Sequence, residues 1–372
     1  MHKADVAVIG AGLAGLQCAR SLAARGLDVV LVDRKESVTD TIQTTGIFVR
    51  KTWEDFPLPD EQLGAPIREV LLYSPSGGAL RLAADHDEFR VGRMPWIYLY
   101  MLEQCGRARV RWMPSTRFVS SEGSMLIVER RGRRECIDAR YTVGADGPRS
   151  AVARAFGLDR NREFLVGVED VVASSGGSPA LHCFLDPRLA PGYIAWYVDD
   201  GVEAHVGVAG YRDRFDPLSS LAMLRRRLSI GRALERRGGL IPVNGILRCI
   251  ANPRAMLVGD AAGAVSPLTA GGIDGALRLS AFAAEVIAEY LDRGDASVLA
   301  RYSGDRFRAR FIARRWMRRL ISLASAPALF ELGCALMHLP PLRRVAEHIF
   351  FARGSFPDVW LPATPQTQDV RT

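Results

Sequence analysis

The hydrophobic residues near the start of the chain fall into two uniformly apolar runs, separated by a segment of helical spacing. Residues 5–10 form the first run, and a glycine ends it, as is typical of a buried strand. Residues 13–25 then place apolar side chains on one helical face, and Gly26 follows as a stop signal. Residues 28–32 form the second run, which Asp33 follows. The order strand, helix, strand predicts a β-α-β unit with parallel strands.

Farther along, segments with a period of two residues are interspersed with segments of helical period. Alternation predicts antiparallel hairpins and a broader antiparallel sheet, whereas short apolar runs predict further buried strands. We expect strands at 67–81, 89–92, 117–136, 141–144, 164–172, 180–185, 193–198, 203–208 and 255–259, and helices at 93–105, 218–237 and 272–291.

The composition agrees with a folded protein large enough for two packed lobes. The chain has 372 residues, of which 48% are hydrophobic and 24% charged, and 35 are glycine. These values exclude a disordered chain and a collagen-like repeat. The six cysteines show no CxxC or CxxH spacing, so we expect neither a metal site nor a disulfide framework, and we expect a reducing, cytoplasmic compartment.

The net charge is positive, and arginine provides nearly all of it. The charge is +8, and three of the 49 basic residues are lysine. Such a balance suits nucleic acid, an anionic membrane surface or an acidic substrate, whereas a GC-rich genome that encodes arginine in place of lysine is the simpler explanation. Aromatic residues are rarely interleaved with the arginines, so we expect no nucleic-acid partner.

The first predicted strand and helix are joined by a GxGxxG motif. Its glycines permit a tight turn, a close approach of backbone to a pyrophosphate and close packing of helix on strand. The acidic residue at the end of the second strand suits ribose hydroxyls, and the arginine after it suits a 2′-phosphate, so the motif alone leaves NAD(P) and FAD open. The predicted binding residues are Gly10, Gly12, Leu13, Ala14, Gly15, Asp33 and Arg34.

Two later segments decide between these cofactors. The sequence GADGPRS at 144–150 resembles the "DG" motif of flavoprotein monooxygenases and related reductases, and GDAAG at 259–263, continuing to GGI at 271–273, resembles their "GD" motif. The resemblance implies FAD, with Asp260 on the ribityl chain, the backbone at 271–273 against the flavin pyrimidine edge, and Arg93 near the pyrophosphate. The cofactor residues that it adds are Arg93, Asp146, Gly147, Gly259, Asp260, Gly271, Gly272 and Ile273.

The sequence around the GDAAG motif at 259–263 most resembles that of geranylgeranyl reductases, a family within the superfamily typified by p-hydroxybenzoate hydroxylase. Glycine stands at position 263, where aromatic hydroxylases usually have histidine. Tyr193 and Trp196, followed by GVAG at 207–210, resemble the reductases' substrate-pocket motif, with one inserted residue and without its Phe-Pro pair. The family's cysteine is absent, because QTTG occupies 43–46, and the lysine that halogenases require is absent too, because Lys51 is the last lysine.

The resemblance implies an FAD-dependent oxidoreductase that acts on a hydrophobic, prenyl or lipid-like substrate, with C=C reduction by hydride from reduced flavin. An FAD-dependent monooxygenase is the alternative. No second GxGxxG follows residue 15, so we expect NAD(P)H to dock transiently or an external reductase to supply electrons. The candidates for acid–base catalysis rest on position alone and are Thr44, Thr45, Tyr197 and Asp274.

Together these features predict an α/β fold with a Rossmann-like FAD-binding lobe, an antiparallel-sheet substrate lobe and a C-terminal helical region. The FAD-binding lobe is discontinuous, and the chain is expected to end in a loose tail. The predicted bounds are 1–66, 89–162 and 247–294 for the FAD-binding lobe, 67–88 and 163–246 for the substrate lobe, 295–353 for a helical cap and 354–372 for the tail.

The region from 306 to 344 combines clustered arginines with a long apolar segment. Pro327, Glu331 and His338 interrupt that segment, which argues against a helix that crosses a membrane. Two alternatives stay open: an interfacial helix that contacts an anionic membrane peripherally, and a cap over the substrate pocket with its arginines in solvent.

Overall fold

Two seven-stranded sheets, a two-stranded ribbon and ten α-helices form the part of the chain that the structure describes. The computed structural model describes residues 2–177, 179–351, 356 and 359. The strands are β1 (His2–Ile9), β2 (Val29–Val32), β3 (Ile47–Val49), β4 (Glu69–Tyr73), β5 (Ala79–Ala83), β6 (Phe89–Val91), β7 (Arg111–Met113), β8 (Thr116–Glu122), β9 (Met125–Arg130), β10 (Arg133–Gly144), β11 (Phe164–Ala173), β12 (Leu181–Phe184), β13 (Ala195–Asp199), β14 (Glu203–Gly210), β15 (Ala233–Pro242) and β16 (Ala255–Leu257). The helices are α1 (Leu13–Ala23), α2 (Arg50–Asp55), α3 (Met94–Arg107), α4 (Ala151–Ala155), α5 (Pro217–Arg227), α6 (Ile273–Arg293), α7 (Gly304–Arg308), α8 (Ile312–Leu323), α9 (Pro327–Leu336) and α10 (Pro340–Phe351).

The first sheet has a parallel core. Its order is β7-β2-β1-β10-β9-β8, and β16 pairs with the last residues of β10. β7, β2, β1, β10 and β16 are parallel, whereas β9 and β8 extend the sheet as antiparallel strands. The strand residues of this core are buried because helices cover it, which explains why they appear in the sequence as uniformly apolar runs. The carboxyl ends of these parallel strands meet at one edge, and the three glycine motifs lie there.

The second sheet has the order β15-β11-β14-β13-β12-β4-β5 and is antiparallel except between β12 and β4. The sequence predicted one helix over 218–237 in this region, and that prediction is wrong in its second half. α5 ends at Arg227, and Ser229 takes a left-handed conformation with φ of 53°. The chain then enters β15, whose full length pairs with β11. Strand pairing therefore overrides the helical preference of the Leu, Glu and Arg residues there.

Helices α6 to α10 follow the last strand of the first sheet. α6 packs against α1, and an edge-to-face aromatic cluster stabilises the segment after it: Tyr302, Phe307, Phe311 and Phe356. Phe356 and Val359 are buried, so the predicted loose tail is wrong at these two positions. The rest of 354–372 lies outside the described residues, and the domain bounds stay a prediction. Within the described ranges, no helix has both the length and the apolarity to cross a bilayer.

Candidate functional site

A cavity of about 1040 Å³ lies between the glycine-rich edge of the first sheet and the face of the second sheet. Helices α8, α9 and α10 form its remaining wall. The volume is at the upper limit of the ~300–1,000 Å³ that is usual for small-molecule sites, so one continuous space has room for more than one ligand.

The three glycines of the first motif have different surroundings. A Cβ at Gly10 would lie 2.2 Å from the carbonyl oxygen of Ala145, and a Cβ at Gly15 would lie 1.8 Å from that of Gly10. Both are therefore required by packing. A Cβ at Gly12 would meet no protein atom within 4 Å, and Gly12 lines the cavity together with Leu13. Gly12 is also the N-cap of α1 and provides no side-chain cap, so no capping side chain satisfies the first N–H groups of α1.

The charged residues predicted around this motif lie outside the cavity lining. Asp33 is buried, and its carboxylate accepts hydrogen bonds from the backbone N–H of Ala11 at 2.6 Å and of Lys35 at 2.9 Å. It therefore holds the glycine turn against the end of β2. Arg34 is exposed, and Arg93 is half-buried at the start of α3.

The two predicted cofactor aspartates differ in what they contact. Asp146 accepts hydrogen bonds from the Ser150 hydroxyl at 2.6 Å and from the N–H groups of Ala151 and Val152 at 2.7 and 3.1 Å, so it caps α4. Burial raises its pKa, and these hydrogen bonds oppose that effect. The carboxylate of Asp260 accepts no hydrogen bond within the described residues and lines the cavity, and burial raises its pKa to about 6.

The third motif forms a second helix start at the cavity. Gly271, Gly272 and Ile273 line it, and Gly272 is the N-cap of α6 without a side-chain cap. Asp274, a catalytic candidate by sequence position, also lines the cavity, but its carboxylate is bound by the buried Arg278 at 2.8 Å and by the Thr52 hydroxyl at 3.3 Å. Its carboxylate thus contributes to the attachment of α6 to α2.

Tyr193 and Trp196 line the wall of the cavity opposite the glycine edge. The Tyr193 hydroxyl donates to the carbonyl oxygen of Thr269 at 2.6 Å. A Cβ at Gly207 would lie 2.2 Å from the Trp196 ring, so the glycine of β14 provides the space in which that ring lies. This contact explains why the tryptophan and the following glycine occur together.

Sequence reasoning missed Glu169, which lines the cavity from β11. The Thr45 hydroxyl and the Trp196 Nε1 at 3.1 Å donate to its Oε2, and His205 Nδ1 lies 3.2 Å from its Oε1. Burial alone would raise the pKa of this carboxyl, but the hydrogen bonds and the nearby His205 hold its pKa below the ordinary value. The available signal was an acidic pair, Glu169 and Asp170, inside an otherwise apolar strand.

The other two acid–base candidates differ from Thr45 in position. Thr44 lines the cavity, but its Oγ1 accepts a hydrogen bond from the N–H of Gly46 at 3.2 Å within the same turn. Tyr197 does not line the cavity, and its hydroxyl lies 3.1 Å from the Ser175 hydroxyl and 3.3 Å from Asp199.

The wall formed by α8, α9 and α10 is largely apolar and opens to the surface. Leu320, Leu329, Leu342 and Val345 line the cavity and are also strongly exposed, Leu320 to 67%. The expectation that the arginines of this region lie in solvent is wrong for two of them. These two, Arg314 and Arg318 of α8, line the cavity.

Comparisons with known proteins agree with this arrangement. The family models described as "FAD dependent oxidoreductase" and "FAD binding domain" match residues 5–143 and 102–202. Digeranylgeranylglycerophospholipid reductase 2 of Methanopyrus kandleri is 31% identical over 334 residues, which are 82% of this chain and 83% of that protein.

Solved structures of distant relatives share the fold. A geranylgeranyl bacteriochlorophyll reductase-like protein from Thermoplasma acidophilum aligns over 97% of both chains with a TM-score of 0.84 and 18% identity. A p-nitrophenol 4-monooxygenase from Pseudomonas putida aligns over 95% of this chain and 99% of its own with a TM-score of 0.72 and 17% identity. At such identities the likeness concerns the fold alone, and the fold is common to reductases and monooxygenases.

Proposed function

We propose, because this chain belongs to the geranylgeranyl reductase family of FAD-dependent oxidoreductases, that it saturates C=C bonds in the prenyl chain of a lipid-like substrate. The observation that carries the proposal is the continuity of the cavity. Its glycine-rich end meets two uncapped helix starts, and its other end opens between the exposed apolar side chains of α8, α9 and α10. A long apolar chain could enter from the surface along the apolar side chains of α8, α9 and α10.

The residues at the glycine end fit FAD. The space at Gly12 and the free N–H groups of α1 suit a pyrophosphate, and the carboxylate of Asp260 suits a hydroxyl of the ribityl chain. The start of α6 at Gly272 suits the electron-rich edge of a flavin. Bound FAD, when reduced, supplies the hydride for the reaction.

Asp33, Asp146 and Arg93 are not part of this set of cavity-lining groups. We propose that Asp33 and Asp146 shape the binding site, since their carboxylates hold the turn at Ala11 and the start of α4. Contacts of Asp33 with ribose and of Arg93 with pyrophosphate stay predictions.

Thr45 is the residue that we propose to deliver the proton that accompanies the hydride. Its hydroxyl lies at the cavity and donates to Glu169, which in turn contacts the buried His205. In the proposed relay the Thr45 hydroxyl gives its proton to the substrate carbon, its oxygen takes a proton from Oε2 of Glu169, and Nδ1 of His205 returns a proton to Oε1 of Glu169. The Trp196 ring, bound to the same carboxylate, would orient the substrate and exclude water.

We also propose that the opening of the cavity contacts a membrane surface. The exposed leucines at the opening are accompanied on α8 and α10 by Arg315 and Arg344. Apolar and basic side chains next to each other suit an interface with anionic lipid. A substrate carried in such a surface could then enter the cavity directly.

The test is a single-turnover reduction. FAD-loaded protein is reduced without oxygen and mixed with a lipid that carries geranylgeranyl chains, and mass spectrometry of the lipid follows a gain of H₂ for each saturated bond. Parallel turnover assays with NADH, NADPH or an external reductase identify the electron donor. A lipid that stays unsaturated contradicts the proposal. A product that gains an oxygen atom in air would instead establish the monooxygenase alternative, which the fold shared with the p-nitrophenol monooxygenase supports.

A further inference from the structure

Two arginines of α8 reach the cavity, and neither has a carboxylate partner among the described residues. Arg314 and Arg318 are one helical turn apart, and both line the cavity. No carboxylate oxygen lies within 4.0 Å of either guanidinium in the described part of the chain. Arg318 is buried to 4% exposure, and its Nη2 has no hydrogen-bond partner among the described residues.

The remaining contacts of these side chains are weak or neutral. Arg314 donates to the Ser266 hydroxyl at 3.3 Å, and burial lowers its pKa, as expected where no anion offsets the loss of water. The Arg318 Nε donates to the Tyr211 hydroxyl at 3.4 Å, and the guanidinium lies over the rings of Tyr193 and Tyr211, 5.1 and 5.4 Å from their centres. These rings orient the guanidinium but do not neutralise it.

Such an arrangement is costly for folding alone. A buried cation is stable when it is paired, and two like charges at i and i+4 repel each other. Elsewhere in this protein buried arginines follow the rule, since Arg278 is paired with Asp55 at 2.7 Å and with Asp274 at 2.8 Å. The two arginines of α8 therefore need an anion, and the described residues do not supply one.

We infer that Arg314 and Arg318 form a subsite for the phosphate group of a ligand in the cavity. Two planar guanidinium groups match the oxygens of a phosphate, which each can bind through two N–H groups. The subsite borders the apolar wall at Leu320 and Ile321, so a phosphate held here would leave an attached prenyl chain in the apolar part of the cavity. This inference rests on the proposed function for the prenyl chain, but the phosphate could also belong to a nucleotide electron donor.

The experiment is isothermal titration calorimetry of the FAD-loaded protein with geranylgeranyl phosphate, geranylgeraniol and NADPH. The variants are Arg318→Gln, Arg314→Gln and Arg318→Lys, with Arg319→Gln as matched control because Arg319 is exposed on the same helix and stacks on Trp316. The two Gln variants should weaken binding of geranylgeranyl phosphate by about 10- to 100-fold, the range for loss of a charge-assisted hydrogen bond, and should change binding of the alcohol little. Arg318→Lys should restore part of the affinity, and the control should match the wild type.

The outcomes separate this inference from the proposed function. Equal binding of phosphate and alcohol by the wild type, with no effect of the Gln variants, overturns the subsite and leaves prenyl reduction standing. Binding of neither prenyl ligand, together with arginine-dependent binding of NADPH, keeps the subsite and contradicts prenyl reduction. Arginine-independent binding of all three ligands, or no binding of any, overturns the subsite. Should Arg318→Gln not fold, the half-buried Arg314→Gln gives the same comparison.

Discussion

The two ends of the cavity are built from different parts of the polypeptide. At the first sheet the wall is mainly backbone: two helix starts, several glycines and one carboxylate that has no hydrogen-bond partner among the described residues. At the second sheet and α8 the wall consists of side chains from separate elements, and Glu169, Trp196, Arg314 and Arg318 are among its polar members. The end at the first sheet requires residues with no side chain or a small one. The end at the second sheet and α8 requires side chains from distant elements to come together. Substitutions at the two ends should therefore fail in different ways.

The largest effect on stability is expected from the substitution Gly15→Val. Its Cβ would lie 1.8 Å from the Gly10 carbonyl oxygen, so α1 must move away from β1. We expect a loss of more than about 3 kcal/mol in the free energy of unfolding, measured by urea denaturation. Gly12→Val is the matched control, because its Cβ has free space: the unfolding free energy should stay near that of the wild type while FAD binding is lost. Equal destabilisation by both would contradict the distinction between packing and binding glycines.

The next effect concerns the carboxylate of Asp260. Its pKa in the folded, cofactor-free protein is raised from the ordinary 3.8 to about 6, so the folded state binds more protons than the unfolded state between these values. Stability contributed by the protonated carboxyl is present below this range and is lost as the pH rises through it, by up to about 3 kcal/mol. Asp260→Asn should remove this loss and should weaken FAD binding. Urea unfolding of wild type and variant from pH 4 to 7 would test it, and parallel pH profiles would refute it.

At the side-chain end, Thr45→Val should lower kcat by about 100-fold with little change in KM, since loss of a proton-delivering group affects the chemical step. Thr44→Val is the control, because that hydroxyl contacts its own turn and should leave kcat within a few-fold of wild type. Steady-state assays with a geranylgeranyl lipid measure both constants. A rise in KM without a fall in kcat would make Thr45 a binding residue.

A smaller effect is expected from Gly207→Ala, whose methyl group would displace the Trp196 ring. The Nε1 contact to Glu169 should weaken, and KM for the prenyl substrate should rise about tenfold, as for other small changes of pocket shape. Gly167→Ala on the neighbouring β11 is the control, because its methyl group would meet the end of the Ile241 side chain at 3.3 Å. If both variants raise KM equally, the position of Trp196 is not what limits binding.

The smallest effect on the folded protein is expected at the opening of the cavity. Leu320→Asp combined with Leu329→Asp should change the unfolding free energy by less than about 1 kcal/mol, since both side chains are exposed. Binding to anionic lipid vesicles in a flotation assay should nevertheless fall strongly. Leu234→Asp is the control, because this side chain is 63% exposed on β15 and does not line the cavity. This variant should bind to the vesicles as the wild type does. Unchanged flotation of the double variant would exclude this surface as the contact.

The same contrast explains what the sequence could predict. Gly12, Gly272 and Asp260 stand in contiguous motifs, because a backbone approach to a cofactor is encoded within a few residues. The family assignment and the α/β fold followed from these motifs and are confirmed by the comparisons. Asp146 and Asp260 could not be told apart from the sequence, because their surroundings differ only in the folded protein. Asp146 caps α4, whereas the carboxylate of Asp260 accepts no hydrogen bond from the described residues. Glu169 was missed for a related reason: Thr45 and His205 are 124 and 36 residues away from it in sequence.

The strand β10 has a consequence for the order in which the protein can assemble. It pairs with β1, synthesised more than a hundred residues earlier, and its last residues pair with β16, synthesised more than a hundred residues later. A ribosome that has released residues 5–143, the span of the oxidoreductase family model, has therefore made β1 and β10 but neither β16 nor the start of α6. Such long-range pairing delays folding. If the start of α6 belongs to the flavin site as proposed, the nascent chain cannot complete that site until α6 has left the exit tunnel, and we expect cofactor uptake late in biosynthesis.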